Sequence, residues 1–317
     1  MNNDKSIKAD KIINDLLNNP SLYQEMAEKE GQVWGQVFSD ENRSQQVKID
    51  QEAAKELRLN RDVLNLTALL RRHKIKPTVG CSLACGSGRL ERQLLLQGIC
   101  QRFHGIDLAA DALEEARKIA KQQQLDITYE QEDINTIQLE RQAYDLVVTQ
   151  NCLHHVLRLE HLADEIAKAL KPDGVLWIHD YIGETQFQYS DERLEIANKI
   201  LAVLPEKLRF NHVNNCQTNK IFVKDPGTLI SPFESIRSQE IMPIFLNKFD
   251  IIEKFEFNSI LHLVCPVGTR SAFLHSEESR SIFELLFLLD RLLVDTGIIL
   301  PAAGQYLLKP KTLTIIN

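Results

Sequence analysis

The stretch Ser82-Leu83-Ala84-Cys85-Gly86-Ser87-Gly88-Arg89-Leu90 constrains this chain more than any other. It is a turn of small residues between an apolar run and an amphipathic segment. A strand arriving through Val79, Cys81 and Leu83 has to reverse into a helix at Gly88. Residues with little or no side chain then let a ligand touch the turning backbone. Gly86 and Gly88 meet that need. Two glycines one residue apart also describe an ordinary turn, so the reading depends on the segments downstream of them.

Downstream, short β-rich runs alternate with helical segments, the pattern of right-handed βαβ units and a mainly parallel sheet. Strands are predicted over Thr78 to Leu83, Phe103 to Leu108, Ile127 to Gln131, Tyr144 to Thr149 and Val175 to Tyr181. Between them, Leu113, Ala116, Ile119 and Ala120 share one helical face, as do Leu159, Leu162, Ala163, Ile166 and Leu170. Lys171-Pro172-Asp173-Gly174 stops the second of these helices and turns the chain into the next strand. After an irregular or helical insertion over 183–248, which carries four prolines, the regular fold resumes. A strand is expected over Asp250 to Phe257, a helix over Ser279 to Asp295 and a last strand over Gln305 to Ile315. Residues 1–75 read as a helical cap, with Ile12, Ile13, Leu16 and Leu17 on one face and Trp34 in a polar gap, placed either to close over a bound ligand or to anchor this segment to the core. The expected fold is therefore α/β, a Rossmann-like seven-stranded mainly parallel sheet with helices on both faces. The cap over 1–75 precedes the main domain over 76–317. The leucine stripe Leu285, Leu286, Leu289 and Leu293 is expected to be core.

Composition narrows the function classes. At 317 residues, 44% hydrophobic and 26% charged, the chain matches an ordinary globular protein of one or two domains. No apolar run long enough to span a membrane and no secretory leader is evident, which leads to the expectation of a cytoplasmic protein. The six cysteines lack paired spacing, so neither a zinc site nor a disulfide framework is expected. A net charge of -7 without a basic block argues against nucleic acid as a partner.

In such a sheet the ligand lies outside the carboxyl ends of the strands, where strand order reverses. The second strand ends at Asp107, whose carboxylate can accept hydrogen bonds from both hydroxyls of a ribose. The third ends near Asp133 and Ile134, a second acceptor for an adenine amino group and an apolar neighbour for the ring. The fourth ends in Asn151-Cys152-Leu153-His154-His155 and the fifth in His179-Asp180-Tyr181.

Together these residues resemble the class I S-adenosylmethionine-dependent methyltransferases. Ala84-Cys85-Gly86-Ser87-Gly88 is similar to the family's glycine-rich motif, and Gly105-Ile106-Asp107-Leu108 to its second motif, whose acidic residue binds ribose. Glu130 to Asp133, Tyr144 to Val148 and Ala169 to Gly174 resemble the later motifs. The resemblance covers about residues 76–182, and it implies that Ala84, Cys85, Gly86, Ser87, Gly88, Asp107, Leu108, Asp133, Ile134 and Asn151 bind S-adenosylmethionine. Two positions depart from the family, which usually has an acidic residue at Ser82 and a glycine at Ala84. A methyl group at 84 is compatible with the turn if φ there is negative.

A sulfonium carries a good leaving group, so such a protein chiefly aligns the reactants and excludes water, without needing a metal. For a hydroxyl or amine acceptor a base helps, and His155, then His154, His179 and Asp180, are the candidates. The insertion over 183–248 is expected to form the pocket of a small-molecule or glycan acceptor, beginning with the segment Asp180 to Tyr189 and its Phe187 and Tyr189. An alternative is an inactive, methyltransferase-like binding or scaffold protein. A nicotinamide dehydrogenase is disfavoured, because the third glycine of its motif would fall at Glu91.

Overall fold

The β-rich runs of the sequence pair into one sheet. The computed structural model describes residues 2–37 and 41–311, with the side chains of 2–6, 35–37 and 41–44 excepted. In chain order come α1 (Asn2–Asn18), α2 (Pro20–Val37), α3 (Glu41–Glu56) and α4 (Leu66–Arg72), followed by β1 (Val79–Leu83), α5 (Arg89–Leu96), β2 (Arg102–Asp107), α6 (Ala110–Gln122), β3 (Ile127–Gln131) and β4 (Tyr144–Gln150). Next are α7 (Leu159–Ala169), β5 (Leu170–Tyr181), α8 (Asp191–Val203), β6 (Phe210–Asn211), β7 (Cys216–Gln217), α9 (Ile241–Lys248), β8 (Phe249–Phe257), α10 (Leu261–Val264), α11 (Glu277–Asp295) and β9 (Ala303–Pro310).

The main sheet runs β3-β2-β1-β4-β5-β9-β8. β1 to β5 are parallel, and β9 lies antiparallel between β5 and β8. β1 and β4 are buried nearly throughout, as expected of central strands covered by helices on both faces. One face packs on α7 and α9 through Leu162, Ile166, Ile241 and Phe245. The other packs on α4 and α5 through Leu69, Leu70 and Leu94, which meet Phe103, Val148 and Trp177.

Strand boundaries agree closely with the sequence expectation at β1 to β4. β5 is counted from Leu170 because that residue already pairs with Tyr144, with a register irregularity before Leu146. β9 ends at Pro310, and the expected continuation over 312–315 lies outside the described residues. The leucine stripe requires correction. On α11, Phe283, Leu286, Phe287, Asp290 and Leu293 face inward at three- and four-residue spacing, and this turns Leu285 outward, 67% exposed. Arg193 of α8, 1% exposed, ties the segment after β5 to the end of the sheet by donating to Glu184 at 2.8 Å and to the Leu300 carbonyl at 2.8 Å. Among the described residues, no helix is long and apolar enough to cross a membrane.

Candidate active site

Strand order reverses between β1 and β4, so connections leaving their carboxyl ends run to opposite sides and open a crevice. A cleft of about 470 Å³ occupies this place, within the roughly 300–1,000 Å³ of small-molecule sites. Ala84, Cys85, Gly86, Ser87, Asp107, Leu108, Asp133, Ile134 and Asn151 all line it. Gly88 does not. It stands one step behind, as the residue that starts α5 at φ 73°, where a Cβ would collide with the Tyr129 hydroxyl.

The turn after β1 is wound left-handed at Ala84 (φ 49°) and Gly86 (φ 55°). Ala84 thus departs from the negative φ that would have made alanine harmless. A residue with a Cβ in this region costs roughly 1–2 kcal/mol, partly offset in a comparison with glycine by glycine's larger unfolded-state entropy. Ala84→Gly is therefore expected to stabilise the protein by roughly 0.5–1 kcal/mol, read as a higher urea midpoint at unchanged slope. An unchanged or lower midpoint would count against strain at this position.

Asp107 closes the turn from the neighbouring strand. Its Oδ2 accepts from the Gly86 amide at 2.7 Å and its Oδ1 from the Ala109 amide at 2.8 Å. Burial pushes the carboxyl up, while these amides pull the other way. Each carboxylate oxygen keeps a further acceptor site, enough for two ribose hydroxyls. Asp133 accepts from the Tyr23 hydroxyl at 2.5 Å and from the Asn135 amide at 2.8 Å. The arrangement therefore fits an adenosine-type cofactor: a roomy cleft, close-approach backbone and a carboxylate with spare acceptor capacity. Glu91 lies fully buried in α5, and burial pushes its carboxyl above the ordinary range.

The opposite end of the cleft is built on the short helical turn Leu153–His155 after β4. Both His154 and His155 line the cleft. Asp180 does not, because it sits behind them, 1% exposed. It accepts from the Cys152, Leu153 and Tyr181 amides, each at 2.8 Å, and lies 2.5 Å from His154 Nδ1. Its acceptor positions are spent on the turn, so it positions His154 and does not reach a substrate. Burial pushes His154 down, but Asp180 outweighs this and holds the imidazole above its ordinary value. Burial likewise pushes Asp180 up, and His154 outweighs that. His179 faces elsewhere, against Trp177 and Phe257, where burial lowers its pKa.

The expected acceptor wall over Asp180 to Tyr189 is also displaced. Tyr181, Phe187 and Tyr189 form an aromatic row with centroids 5.2 and 6.0 Å apart, and Phe187 and Tyr189 pack into the hydrophobic cluster with Leu261 and Phe273. The segment after β5 reaches the cleft farther along, through Phe233.

Of the wall supplied by α2, sequence reasoning reached Trp34, which lines the cleft, and missed Tyr23 and Glu30. Tyr23, Ala27, Glu30 and Trp34 recur at four- and three-residue spacing and so share one face of that helix. Glu30, 6% exposed, accepts from Trp34 Nε1 at 2.7 Å, the Ser231 hydroxyl at 3.0 Å and the Phe233 amide at 2.9 Å. It also lies 2.9 Å from His155 Nδ1. Although desolvation pushes the Glu30 carboxyl up, His155 and these donors hold it below the ordinary value. The Trp34 ring meets His155 edge-on at 5.1 Å. The periodic spacing of Tyr23, Glu30 and Trp34 was the available signal, obscured because a glutamate on a helix is usually solvated.

Comparisons with known proteins match the part of the chain that runs from β1 to β5. Residues 81–178 match the family model described as a methyltransferase domain. Over 95 residues the chain is 30% identical to ubiquinone biosynthesis O-methyltransferases of Coxiella burnetii strains, a match covering 30% of this chain and 40% of the relative. The chain thus spans about 40% of the length of the curated relatives it matches. Solved structures with a similar chain course include an S-adenosylmethionine-dependent methyltransferase from Mesorhizobium loti (16% identity, TM-score 0.42, covering 77% of this chain and 96% of that one). Another is a Haemonchus contortus phosphoethanolamine N-methyltransferase with S-adenosylhomocysteine (18% identity, TM-score 0.45, covering 78% and 52%).

Proposed function

Starting from membership of residues 81–178 in the class I S-adenosylmethionine-dependent methyltransferases, we propose that this chain methylates a small organic or glycan acceptor held at the histidine end of the cleft. The observation that carries this reading is the meeting of two half-sites in one cavity. The turn at Ala84–Ser87 with Asp107 forms one, and the imidazoles of His154 and His155, each backed by a buried carboxylate, form the other.

S-adenosylmethionine, when bound, supplies an electrophilic methyl group on a sulfonium. Asp107 would hold the ribose, Asp133 and Ile134 the adenine, and the backbone of Ala84 to Ser87 the remainder. Gly88 contributes by starting α5 at an angle that leaves the turn open. Trp34 and Phe233 exclude water from the far end, which strengthens every polar interaction there. His155, oriented by Glu30, is the base for the acceptor's proton, and Asp180 fixes His154 beside it. The Coxiella burnetii relative is an O-methyltransferase, and a hydroxyl acceptor suits a site furnished with oriented imidazoles.

The test is a methyl-donor assay against a panel of phenols, sugars, carboxylic acids and amines, with mass spectrometry of the products. With an accepted substrate, His155→Gln is expected to lower kcat by about 10²–10⁴-fold while leaving cofactor affinity unchanged. Equal kcat in variant and wild type would remove His155 from the chemistry. Ser82 and the strained Ala84 favour a second reading, a binding protein without activity. Calorimetric titration separates the two, since failure to bind S-adenosylhomocysteine at millimolar concentration defeats the enzyme reading.

A further inference from the structure

We propose that His154, His155 and Glu234 form a binding site for a divalent first-row transition cation, with Zn²⁺ the best match, at the acceptor end of the cleft. Ligand atoms of the three side chains all lie within 4.8 Å of one another. Glu234 Oε1 is 3.9 Å from His154 Nε2, and Glu234 Oε2 is 4.0 Å from His155 Nε2. Both separations are too long for hydrogen bonds. With bonds of roughly 2.0–2.2 Å, ligand atoms around a tetrahedral Zn²⁺ stand roughly 3.3–3.6 Å apart, so one ion bridges the three groups after side-chain shifts on the order of 1 Å.

The surroundings of the histidines point the same way. A histidine that ligates a metal through one ring nitrogen characteristically presents the other to a carboxylate, which fixes the ring and raises its basicity. His154 has this arrangement here, and His155 places Nδ1 beside a carboxylate without a hydrogen bond to it. His154 turns Nδ1 to Asp180 at 2.5 Å, and His155 turns Nδ1 to Glu30 at 2.9 Å. The two orienting carboxylates are themselves buried, at 1% and 6% exposure, and anchored by backbone amides. Two nitrogens and one carboxylate oxygen form a donor set suited to Zn²⁺, Fe²⁺ or Co²⁺, whereas Mg²⁺ and Ca²⁺ favour oxygen ligands throughout. Three protein ligands leave coordination positions open, as in catalytic rather than structural sites. An oxygen-bearing acceptor in the cleft is the natural occupant of an open position.

The metal site rests on the methyl-transfer reading only for that last point. In the metal-bound protein His155 holds the ion in place of a proton, so its role as base belongs to the metal-free state. Spacing along the chain gives no sign of such a site, because two ligands come from the turn after β4 and the third from a distant part of the segment after β5.

The test uses the full-length chain, stripped with a chelator and titrated with Zn²⁺ under calorimetry and with Co²⁺ under visible absorption. One equivalent of each is expected to bind, Co²⁺ with the ligand-field bands of a nitrogen and oxygen donor set. Glu234→Gln and His155→Gln should each weaken binding by at least about 100-fold. Asp180→Asn and Glu30→Gln should weaken it by about 10–100-fold. S-adenosylhomocysteine affinity, measured separately, should be unchanged in Glu234→Gln, so a failure of the metal site is distinguishable from a failure of the cofactor reading. Absence of saturable uptake overturns the proposal, as does equal uptake by the ligand variants. Uptake with thiolate charge-transfer bands that disappears in Cys216→Ser overturns it too.

Discussion

Replacing Asp107 with alanine is expected to raise the dissociation constant for S-adenosylmethionine by about two orders of magnitude. Hydrogen bonds to a charged partner contribute roughly 1.5–3 kcal/mol each, and a factor of ten corresponds to about 1.4 kcal/mol. Losing two ribose contacts, with some compensation by water, lands near that value. Part of the loss would come through the turn, because the same carboxylate holds the Gly86 and Ala109 amides. Asp107→Asn keeps an oxygen acceptor and should retain more affinity than alanine. Calorimetry with S-adenosylhomocysteine measures both variants, with circular dichroism to check the fold. An unchanged dissociation constant in Asp107→Ala would remove this residue from the cofactor site.

The second large effect is expected at Asp180. Removing a buried carboxylate that is paired to a histidine leaves His154 without its partner and the Cys152, Leu153 and Tyr181 amides without an acceptor. Breaking a buried pair by deleting one member typically costs about 3–5 kcal/mol. Asp180→Ala is therefore expected to lower the urea midpoint markedly and to abolish methyl transfer. Asp180→Asn should recover much of the stability, because it keeps an oxygen for the amides, yet recover little activity, because His154 loses its charged neighbour. If the asparagine variant were fully active, the carboxylate's role would be confined to folding.

The contrast between Asp107 and Asp180 shows how the site was legible in sequence and where it was not. Asp107 could be found because a strand, a small-residue turn and a helix succeed one another along the chain, and the acidic end of the next strand must then border the same crevice. Asp180 also ends a strand, but successive strand residues point to opposite faces, and nothing in the sequence says which face of β5 meets the cleft. Its backbone partners on the Cys152–Leu153 turn settle that, and they are a tertiary matter. Ala84 was undecided for another reason, since residue type permits either sign of φ and only the turn's closure selects the left-handed one. Glu30 was obscured because a glutamate on a helix is usually solvated, and Glu234 was invisible because it meets His154 and His155 only through packing of a segment remote from them in sequence. The leucine stripe failed through ambiguity of phase, as the run Leu285-Leu286-Phe287-Leu288-Leu289 offers an apolar residue to every side of the helix.

The wall supplied by α2 separates two quantities often treated as one. Among the described residues every strand of the sheet lies between Val79 and Pro310, so a fragment lacking the first four helices would still contain the sheet and the residues 81–178 that match the methyltransferase family model. It would lack Tyr23, Glu30 and Trp34, and with them the anchor of Asp133, the orienting partner of His155 and the aromatic cover above it. The smallest piece that holds the sheet is thus smaller than the smallest piece that closes the cleft.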